Sequence, residues 1–219
     1  MSQQNYNLIR ALKFDFLTPA YDSVLGWTLP EMAIKRQLVS QASIQKEHMV
    51  LDLGCGTATL TILIKQLHPE AVVYGLDGDQ KILELAQSKT TAANLDIQLV
   101  KGLVTELQLP NNVFNEVLSS LVFHHLSLEE KKLALREVFR VIKPGGSLHI
   151  ADWGKPKNWR MRAVFLLVQL LDGFKTTRDC VTGILPELMG KAGFENVQTT
   201  TDYNTPLGTL SLYRGCKPE

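Results

Sequence analysis

Two acids and two glycines stand where strand-like runs end, an arrangement that suits a nucleotide-like ligand. The run "VLDLGCGTATL" carries Asp52 inside an apolar stretch and follows it with Gly54 and Gly56. Glycine lets the backbone approach a ligand that any Cβ would strike. The run "VYGLD" ends on Asp77, where nucleoside-binding α/β folds place an acid on the ribose. A phosphate cradle or a plain strand-to-helix connection explains the glycines alone, but glycines and acid together favour a nucleoside site.

The residues after the glycines indicate which nucleoside binds. A dinucleotide fold uses the pattern G-x-G-x-x-G to hold a pyrophosphate at a helix N-terminus. Here residues 57–60 read "TATL", so the third glycine is missing. This lowers the expectation of NAD binding and leaves an NAD-dependent oxidoreductase as an alternative function.

The elements that must hold these residues follow from the periodicity of the chain. Short β-rich runs alternate with helical patterns from Met49 to Glu116, which predicts a parallel sheet flanked by helices. The predicted strands lie near 49–53, 71–77, 96–101, 114–121, 146–152, 194–202 and 207–214.

Capping residues predict where the helices begin and end. Asp79 is expected to cap a helix reaching about Thr91, and Ser127 with Glu130 forms a capping-box pattern for a helix ending near Ile142. "KPGG", residues 143–146, is predicted to be a turn into the next strand, and Gly193 is expected to end a later helix.

Composition limits the function classes. With 219 residues, 45% apolar and 21% charged, the chain fits one globular domain, and a net charge of +1 gives no general attraction to nucleic acid. Its three cysteines lack CxxC spacing, which argues against a disulfide framework or a zinc site, so no metal is predicted. We expect a cytoplasmic protein, since the N-terminus does not read as a signal peptide and "AVFLLVQLL" is shorter than the ~20 residues of a membrane span.

Four sequence blocks occur in order within roughly residues 49–153: "VLDLGCGTATL", "VYGLDGDQKILELAQ", "FNEVLSSLVFHHLS" and "LREVFRVIKPGGSLHIADW". Through these blocks the sequence resembles the class I S-adenosylmethionine (SAM)-dependent methyltransferases. The N-terminal "FDFLTPAYDSVLGW" is similar to the branch that methylates ubiquinone and menaquinone precursors.

The resemblance implies a fold and a cofactor. The expected fold class is α/β: a three-layer sandwich with a seven-stranded, mostly parallel sheet, an antiparallel last strand and helices on both faces. A single methyltransferase domain is expected over 1–219, with N-terminal cap helices in 1–45 and a substrate lid inserted at 155–190. The implied cofactor is S-adenosyl-L-methionine, and the implied product is S-adenosyl-L-homocysteine (SAH).

The resemblance also implies which residues hold the cofactor. The loop after the first strand would hold the methionine end, Asp77 the ribose, and the residues after the fourth strand would line the methyl donor. The backbone of Leu103 and Val104 would bracket adenine, although Leu103 replaces the usual acid, which predicts weaker SAM affinity. Tyr21 and Asp22 would close the pocket. The implied cofactor-binding set is Asp52, Gly54, Cys55, Gly56, Asp77, Gly78, Leu103, Val104, Ser119, Ser120 and Tyr21.

Methyl transfer from a sulfonium depends mainly on placing the acceptor in a pocket that excludes water. An acidic acceptor also benefits from a base, for which His125 is the first candidate, with His124 beside it. Asp152, at the end of the fifth strand, is the other catalytic candidate. The alternatives are that one histidine is packed and the other solvated, and that Asp152 caps a helix.

The segment after Asp152 bears on the acceptor. Apolar side chains between Lys155 and Phe174 predict an apolar or amphipathic acceptor, such as a quinone precursor or a lipid, or else they complete the core. The basic residues Lys155, Lys157, Arg160 and Arg162 suggest contact with anionic headgroups or simply a solvated face. A non-catalytic SAM-binding or regulatory protein is the alternative from another class.

Overall fold

A seven-stranded sheet frames the protein. The computed structural model describes residues 31–157, 159, 161–163, 166, 179, 181–206 and 208–219. The strands are β1 (Met49–Leu53), β2 (Val72–Asp77), β3 (Gln98–Lys101), β4 (Phe114–Ser120), β5 (Ile142–Trp153), β6 (Glu195–Thr205) and β7 (Gly208–Cys216). The helices are α1 (Glu31–Gln41), α2 (Thr59–Leu67), α3 (Gln80–Ala92), α4 (Leu128–Val141) and α5 (Leu185–Lys191), with a 3₁₀ turn at Phe123–His125.

The strand order β3-β2-β1-β4-β5-β7-β6 brings the carboxyl ends of the central strands to one edge. Strands β1 to β5 pair in parallel, whereas β7 runs antiparallel to both β5 and β6. In open α/β sheets this carboxyl edge is where ligands bind. The predicted fold class, with its inserted antiparallel last strand, is confirmed.

The pleat of the strands divides the core between the two faces of the sheet. Val50 of β1 packs with α1 and α2 on one face, and Leu51 packs with α4 and α5 on the other. Each fully buried aliphatic side chain contributes about 1.5–3 kcal/mol. The two apolar clusters fix the helices on both sides of the sheet and hold its edge in place.

Local capping begins the helices as the sequence predicts. The Asp79 carboxylate accepts the Lys81 N–H at 2.8 Å at the start of α3, and Ser127 and Glu130 form the capping box of α4. Gly193 follows the end of α5 with φ +107°, where a Cβ would lie 2.9 Å from the Phe139 ring. These predictions are confirmed.

The "KPGG" prediction is wrong in one respect. Strand β5 begins at Ile142, directly after α4, so residues 143–146 belong to the strand instead of preceding it. Gly145 takes φ +76° and the pairing register with β4 shifts between Phe114 and Glu116. The glycine pair is therefore a bulge inside a longer strand.

The predicted N-terminal cap and lid are only partly within the described residues. Helix α1 packs on the sheet through Ile34, Leu38 and Val39, and α5 packs into the second core, so residues 185–190 of the predicted lid range belong to the body. The two ends of the segment 155–183 are adjacent, because a Cβ at Gly183 would lie 3.1 Å from the Lys155 Cβ. None of the described helices has the length and apolarity to cross a bilayer.

Candidate functional site

The loop after β1 presents bare backbone at the carboxyl edge of the sheet. Gly54 and Gly56 have φ of +74° and +53°. The Gly54 and Cys55 N–H groups donate to the Leu76 carbonyl at 2.8 and 2.9 Å, so the loop rests on the end of β2. A Cβ at Gly54 would lie 2.4 Å from Val122 Cγ2, whereas no described atom lies within 4 Å of a Cβ at Gly56. Packing therefore requires the first glycine, and the second faces open space.

Asp77 joins the glycine loop, as the sequence predicts. Its Oδ2 accepts the Gly56 N–H at 2.9 Å and its Oδ1 accepts the Asp79 N–H at 3.0 Å. Each carboxylate oxygen has two lone pairs, so both oxygens can still accept a hydroxyl proton from a ligand. Bare backbone next to a two-oxygen acceptor fits a ribose and the rest of a nucleoside.

Asp52 supports the loop from below. Its carboxylate is buried and accepts the Thr61 hydroxyl of α2 at 2.6 Å. Burial raises the pKa of Asp52 to about 6, although the Thr61 bond and the charge of Lys35 lower it and that of Asp77 raises it. Asp52 therefore anchors helix α2 to β1 beneath the glycines.

Cys55 fills the turn between the two glycines. The side chain is buried, and a Cβ at Gly75 would lie 3.1 Å from its Sγ. Burial raises the pKa of the Cys55 thiol well above its usual range, with the charges of Asp52 and Asp77 acting in the same direction. A neutral, buried thiol is a poor nucleophile.

The loop after β3 lies against the loop after β2. Leu103 is 43% exposed, and its Cδ2 is 3.4 Å from the position of a Cβ at Gly78, while Val104 packs on the second core. Leu103 also forms an isolated antiparallel bridge with Glu106. Residues paired in this way project to the same side. Glu106, an acid that the sequence analysis did not consider, therefore lies beside Leu103, the leucine at the position where related proteins usually have an acid.

The residues after β4 have different roles. The Ser119 hydroxyl is buried and donates to the Leu53 carbonyl at 2.9 Å, which ties β4 to β1 below the glycine loop. Ser120 ends the strand, and Leu121 has φ +59° with its N–H donating to the Ala151 carbonyl at 2.8 Å. Ser119 is a positioning residue, and Ser120 and Leu121 lie at the edge itself.

His124 forms a buried pair with Asp152. The His124 Nδ1 donates to Asp152 Oδ1 at 2.8 Å, since a carboxylate can only accept, and the His124 N–H reaches Oδ2 at 3.2 Å. Burial raises the pKa of Asp152, but the charge and hydrogen bond of His124 outweigh it and hold that pKa below its usual value. This pair lies at the ends of β4 and β5.

His125 does not share this arrangement. Its ring lies against that of His124, with the centroids 3.8 Å apart and the two planes tilted by 43°. Burial lowers the pKa of His125 to about 3, with the positive charges of His124 and Lys131 acting in the same direction. A histidine with this pKa is neutral near pH 7 and is a weaker proton acceptor than the sequence analysis expected.

Two further charged residues, Lys131 and Asp179, lie in this region, and neither was identified from the sequence. Lys131 of α4 is only 2% exposed, and its Nζ lies 2.7 Å from the Leu126 carbonyl and 3.3 Å from Asp179 Oδ2. With His124 and Asp152 they border a space of about 10 Å³, enough for one water molecule. Lys131 lies in the charged run "EEKK", which normally marks a solvated helix face. Tyr21, Asp22 and Arg160 lie outside the described residues.

Known proteins are similar to this chain in sequence and in fold. A family model described as a methyltransferase domain matches residues 50–146. A demethylmenaquinone methyltransferase of Listeria monocytogenes serotype 4a is 32% identical over 157 residues, 69% of this chain and 65% of that protein. One of Lactobacillus johnsonii is 30% identical over 203 residues, 84% of this chain and 81% of that protein. The solved apo structure of the SAM-dependent methyltransferase SibL has a TM-score of 0.72 at 21% identity, covering 91% of this chain and 58% of that one.

A sheet of this order, with a bare glycine loop after β1 and an acid ending β2, is that of a class I methyltransferase. The chain belongs to the SAM-dependent methyltransferases, in the branch that includes the demethylmenaquinone methyltransferases. It spans just under two thirds of the Listeria relative's length. The family predicted from the four sequence blocks is confirmed, and the NAD alternative is set aside.

Proposed function

We propose that the protein transfers the methyl group of SAM to a small aromatic acceptor with an apolar part, similar to a quinone precursor. The observation that carries this proposal is the His124–Asp152 pair, buried at the ends of β4 and β5. Strand β4 neighbours β1, which carries the glycine loop, and neighbouring strands are about 4.8 Å apart. The names of the relatives support the same class of acceptor.

The residues at the edge fit the cofactor. Gly56 keeps the backbone open, Asp77 offers two oxygens to the ribose, and the carboxylates of Asp52 and Asp77 favour a cationic ligand. Bound SAM supplies an electrophilic methyl group on a positively charged sulfur. The protein's own task is then to exclude water and to place the acceptor in line.

His124 is the base in this proposal, in preference to His125. Asp152 holds the proton on Nδ1, which leaves Nε2 as the atom at which the ring gains a proton, and the carboxylate stabilises the imidazolium that forms. His125 remains in contact with the His124 ring and shapes its position.

A turnover assay tests the function. The protein is incubated with SAM and a 1,4-naphthohydroquinone bearing a short prenyl chain, and SAH formation and the methylated product are followed by mass spectrometry. We expect methylation that His124→Gln abolishes while SAH binding persists in calorimetry. Tight SAH binding without methylation of this quinol or of simple phenols would instead support a non-catalytic SAM-binding protein.

We also propose that the surface beside the site contacts an anionic membrane. Residues 159, 161–163 and 166 are helical, and Trp159, Ala163 and Leu166 have the spacing of one helix face. Trp159 is 76% exposed and Leu166 41%, and the exposed Lys155 and Lys157 precede them. An apolar stripe with a tryptophan next to basic residues suits the interface of a bilayer with anionic lipids.

Vesicle sedimentation tests the membrane contact. We expect binding to phosphatidylcholine vesicles that contain phosphatidylglycerol, but not to phosphatidylcholine alone, and a loss of binding in Trp159→Ala and Leu166→Ala. Leu85→Ala is the matched control, because Leu85 is a 54% exposed leucine on α3. Absence of binding at low salt, or a self-association that Trp159→Ala removes, would contradict the proposal.

A further inference from the structure

The turn from Leu103 to Glu106 follows β3 and lies against the end of β2. The Gly102 N–H donates to the Asp77 carbonyl at 3.0 Å, and the Glu106 N–H donates to the Leu103 carbonyl at 3.1 Å, which closes the turn. A Cβ at Gly78 would lie 3.4 Å from Leu103 Cδ2. The turn is therefore fixed beside Asp77, and the base attached to a ribose on Asp77 would lie within its reach.

The two ends of this turn carry side chains of different character. Leu103 and Glu106 pair as an isolated antiparallel bridge, and residues paired in this way project to the same side. Leu103 is an apolar side chain that is 43% exposed, and Glu106 is exposed as well. Among the described residues, the Glu106 carboxylate meets no cation and accepts no hydrogen bond. An apolar surface and an available acceptor therefore lie side by side.

The backbone between the two side chains adds a donor. Val104 is half-buried, and its N–H meets no acceptor in the part of the chain that the structure describes. A peptide N–H that has no acceptor in the protein bonds to water or to a ligand. The turn thus offers a ligand one donor and one acceptor, next to an exposed leucine.

This combination suits the edge and the face of an adenine ring. The edge of adenine carries an amino group, which donates, next to a ring nitrogen that accepts, and the faces of the ring are flat and largely apolar. Hypoxanthine carries an oxygen and an N–H at the same two places, so each group of the turn would meet one of its own kind. A site that bonds to one such pattern rejects the other, because its polar groups are left unpaired.

We propose that this turn selects the base of the cofactor: Glu106 accepts the adenine amino group, the Val104 N–H donates to the adjoining ring nitrogen, and Leu103 packs on the ring face. This selection rests on SAM binding, which the family shares, and not on the identity of the acceptor. Leu103 alone predicts weaker SAM affinity, because it replaces the usual acid. With Glu106 supplying an acid from the other end of the turn, that loss is no longer expected.

Calorimetry with two forms of the product tests the selection. SAH is compared with S-inosyl-L-homocysteine, which carries hypoxanthine in place of adenine and is otherwise the same molecule. We expect the wild type to bind SAH about 30-fold more tightly than the inosyl form. In Glu106→Gln the amide can donate to hypoxanthine as well as accept from adenine, so this ratio should fall to about threefold or less. Glu195→Gln is the matched control, because Glu195 is an exposed glutamate on β6, at the opposite edge of the sheet.

A second set of variants moves the acid along the turn. Glu106→Ala removes the acceptor, so SAH affinity should fall about tenfold while the affinity for the inosyl form stays within about twofold. Adding Leu103→Asp to Glu106→Ala returns an acid to the same side of the turn and should restore the preference for SAH. In the wild-type background, Leu103→Asp should change SAH affinity by less than about twofold, because the amino group already has its acceptor.

The possible outcomes separate this selection from the proposed turnover. If the wild type binds both forms equally, or if Glu106→Gln keeps the wild-type ratio, the assignment of Glu106 is overturned. An equal loss for both forms in Glu106→Ala also overturns it, since a general effect of charge does not distinguish the bases. If the ratio depends on Glu106 but the wild type methylates no acceptor, the base selection stands and the proposed turnover fails.

Discussion

The proposed cofactor edge and the proposed acceptor side of the site are built in different ways. At the cofactor edge, backbone groups of Gly54, Cys55 and Gly56 bond to the end of β2, and the link from Gly56 to Asp77 spans 21 residues. On the acceptor side, side chains make the contacts: His124 reaches Asp152 across 28 residues and Lys131 reaches Asp179 across 48.

This difference separates two tasks. A backbone cradle holds a ligand that is the same throughout a family, and it tolerates side-chain change as long as the glycines remain. Buried charges on the acceptor side are costly to keep and are sensitive to each partner. Substitutions in the two regions should therefore have separable effects, one on cofactor affinity and the other on turnover.

After the loss of turnover expected for His124→Gln, the largest effect is expected from Asp152→Asn. The amide would no longer hold the proton on His124 Nδ1 or stabilise the imidazolium, so turnover should fall about 10³-fold. SAH affinity by calorimetry should stay within about threefold, because the cofactor loop is a separate set of contacts. Asp96→Asn, an exposed acid before β3, is the control. An equal loss of SAH affinity would remove the distinction between the two regions.

Gly54→Ala should damage the other region. The new methyl group would lie 2.4 Å from Val122 Cγ2, in a backbone conformation with φ +74°. Strain and the clash together predict a loss of SAH affinity of about 10²-fold. Gly190→Ala is the matched control, since no described atom lies within 4 Å of its Cβ position. Unchanged SAH binding by Gly54→Ala would show that the loop after β1 adjusts to the added methyl group without losing affinity.

Asp77→Asn should have a smaller effect on the same edge. The amide keeps one oxygen but loses the charge and replaces the other acceptor by a donor, opposite the Gly56 N–H or the ribose. We expect SAH affinity to fall about 30-fold, as for the loss of a charged hydrogen bond. Calorimetry with adenosine alone locates the loss: if adenosine binds equally to both proteins, Asp77 does not hold the nucleoside.

His125→Gln sharpens the comparison within the acceptor side. Because the pKa of His125 is about 3, the ring is neutral throughout the working range and gives no acidic limb to a rate profile. We expect turnover within about threefold of wild type and an unchanged pH profile, in contrast to His124→Gln. If the acidic limb of the pH–rate profile disappeared in His125→Gln, His125 would be assigned as the base instead of His124.

The smallest expected effect concerns the stability of the fold and comes from the buried carboxyl group of Asp52. Its pKa in the folded protein is about 6 against 3.8 as a free group, so the folded state binds the proton more tightly. The stabilisation is present below pH 4 and is lost as pH rises through about 6, up to about 3 kcal/mol. Urea unfolding at about pH 4.5 and about pH 7 should show this decline in the free energy of unfolding of the wild type and a smaller decline in Asp52→Asn. If the free energy of unfolding declined equally in the wild type and in Asp52→Asn, Asp52 would be excluded as the cause.

Periodicity and capping made most of the fold predictable. The capping box of Ser127 and the cap of Asp79 are local signals, and β4 and most of β5 lie in β-rich runs next to helical patterns, as the buried strands of a parallel sheet do. The start of β5 was missed because proline and two glycines usually indicate a turn, while here a shift in pairing with β4 absorbs them. That shift depends on a strand about thirty residues away, which no local pattern shows.

The candidate site also has residues that local sequence patterns predict and residues that only the folded structure identifies. The glycine loop and Asp77 follow from a contiguous motif and one strand end, and both lie where the sequence predicts. The choice between His124 and His125 depends on which ring meets Asp152, a contact made only by the folded sheet. Lys131 gives no signal at all, because a buried lysine and a solvated one read alike in "EEKK".

The closeness of Lys155 and Gly183 has a practical consequence. A stretch whose two ends meet can be exchanged for a longer or shorter one at little entropic cost and without displacing the strands that flank it. We propose that grafting the corresponding stretch from a relative, where the substrate lid is predicted, would change the acceptor preference and leave the nucleoside-binding residues unaltered, which would give new methylation chemistry from one scaffold.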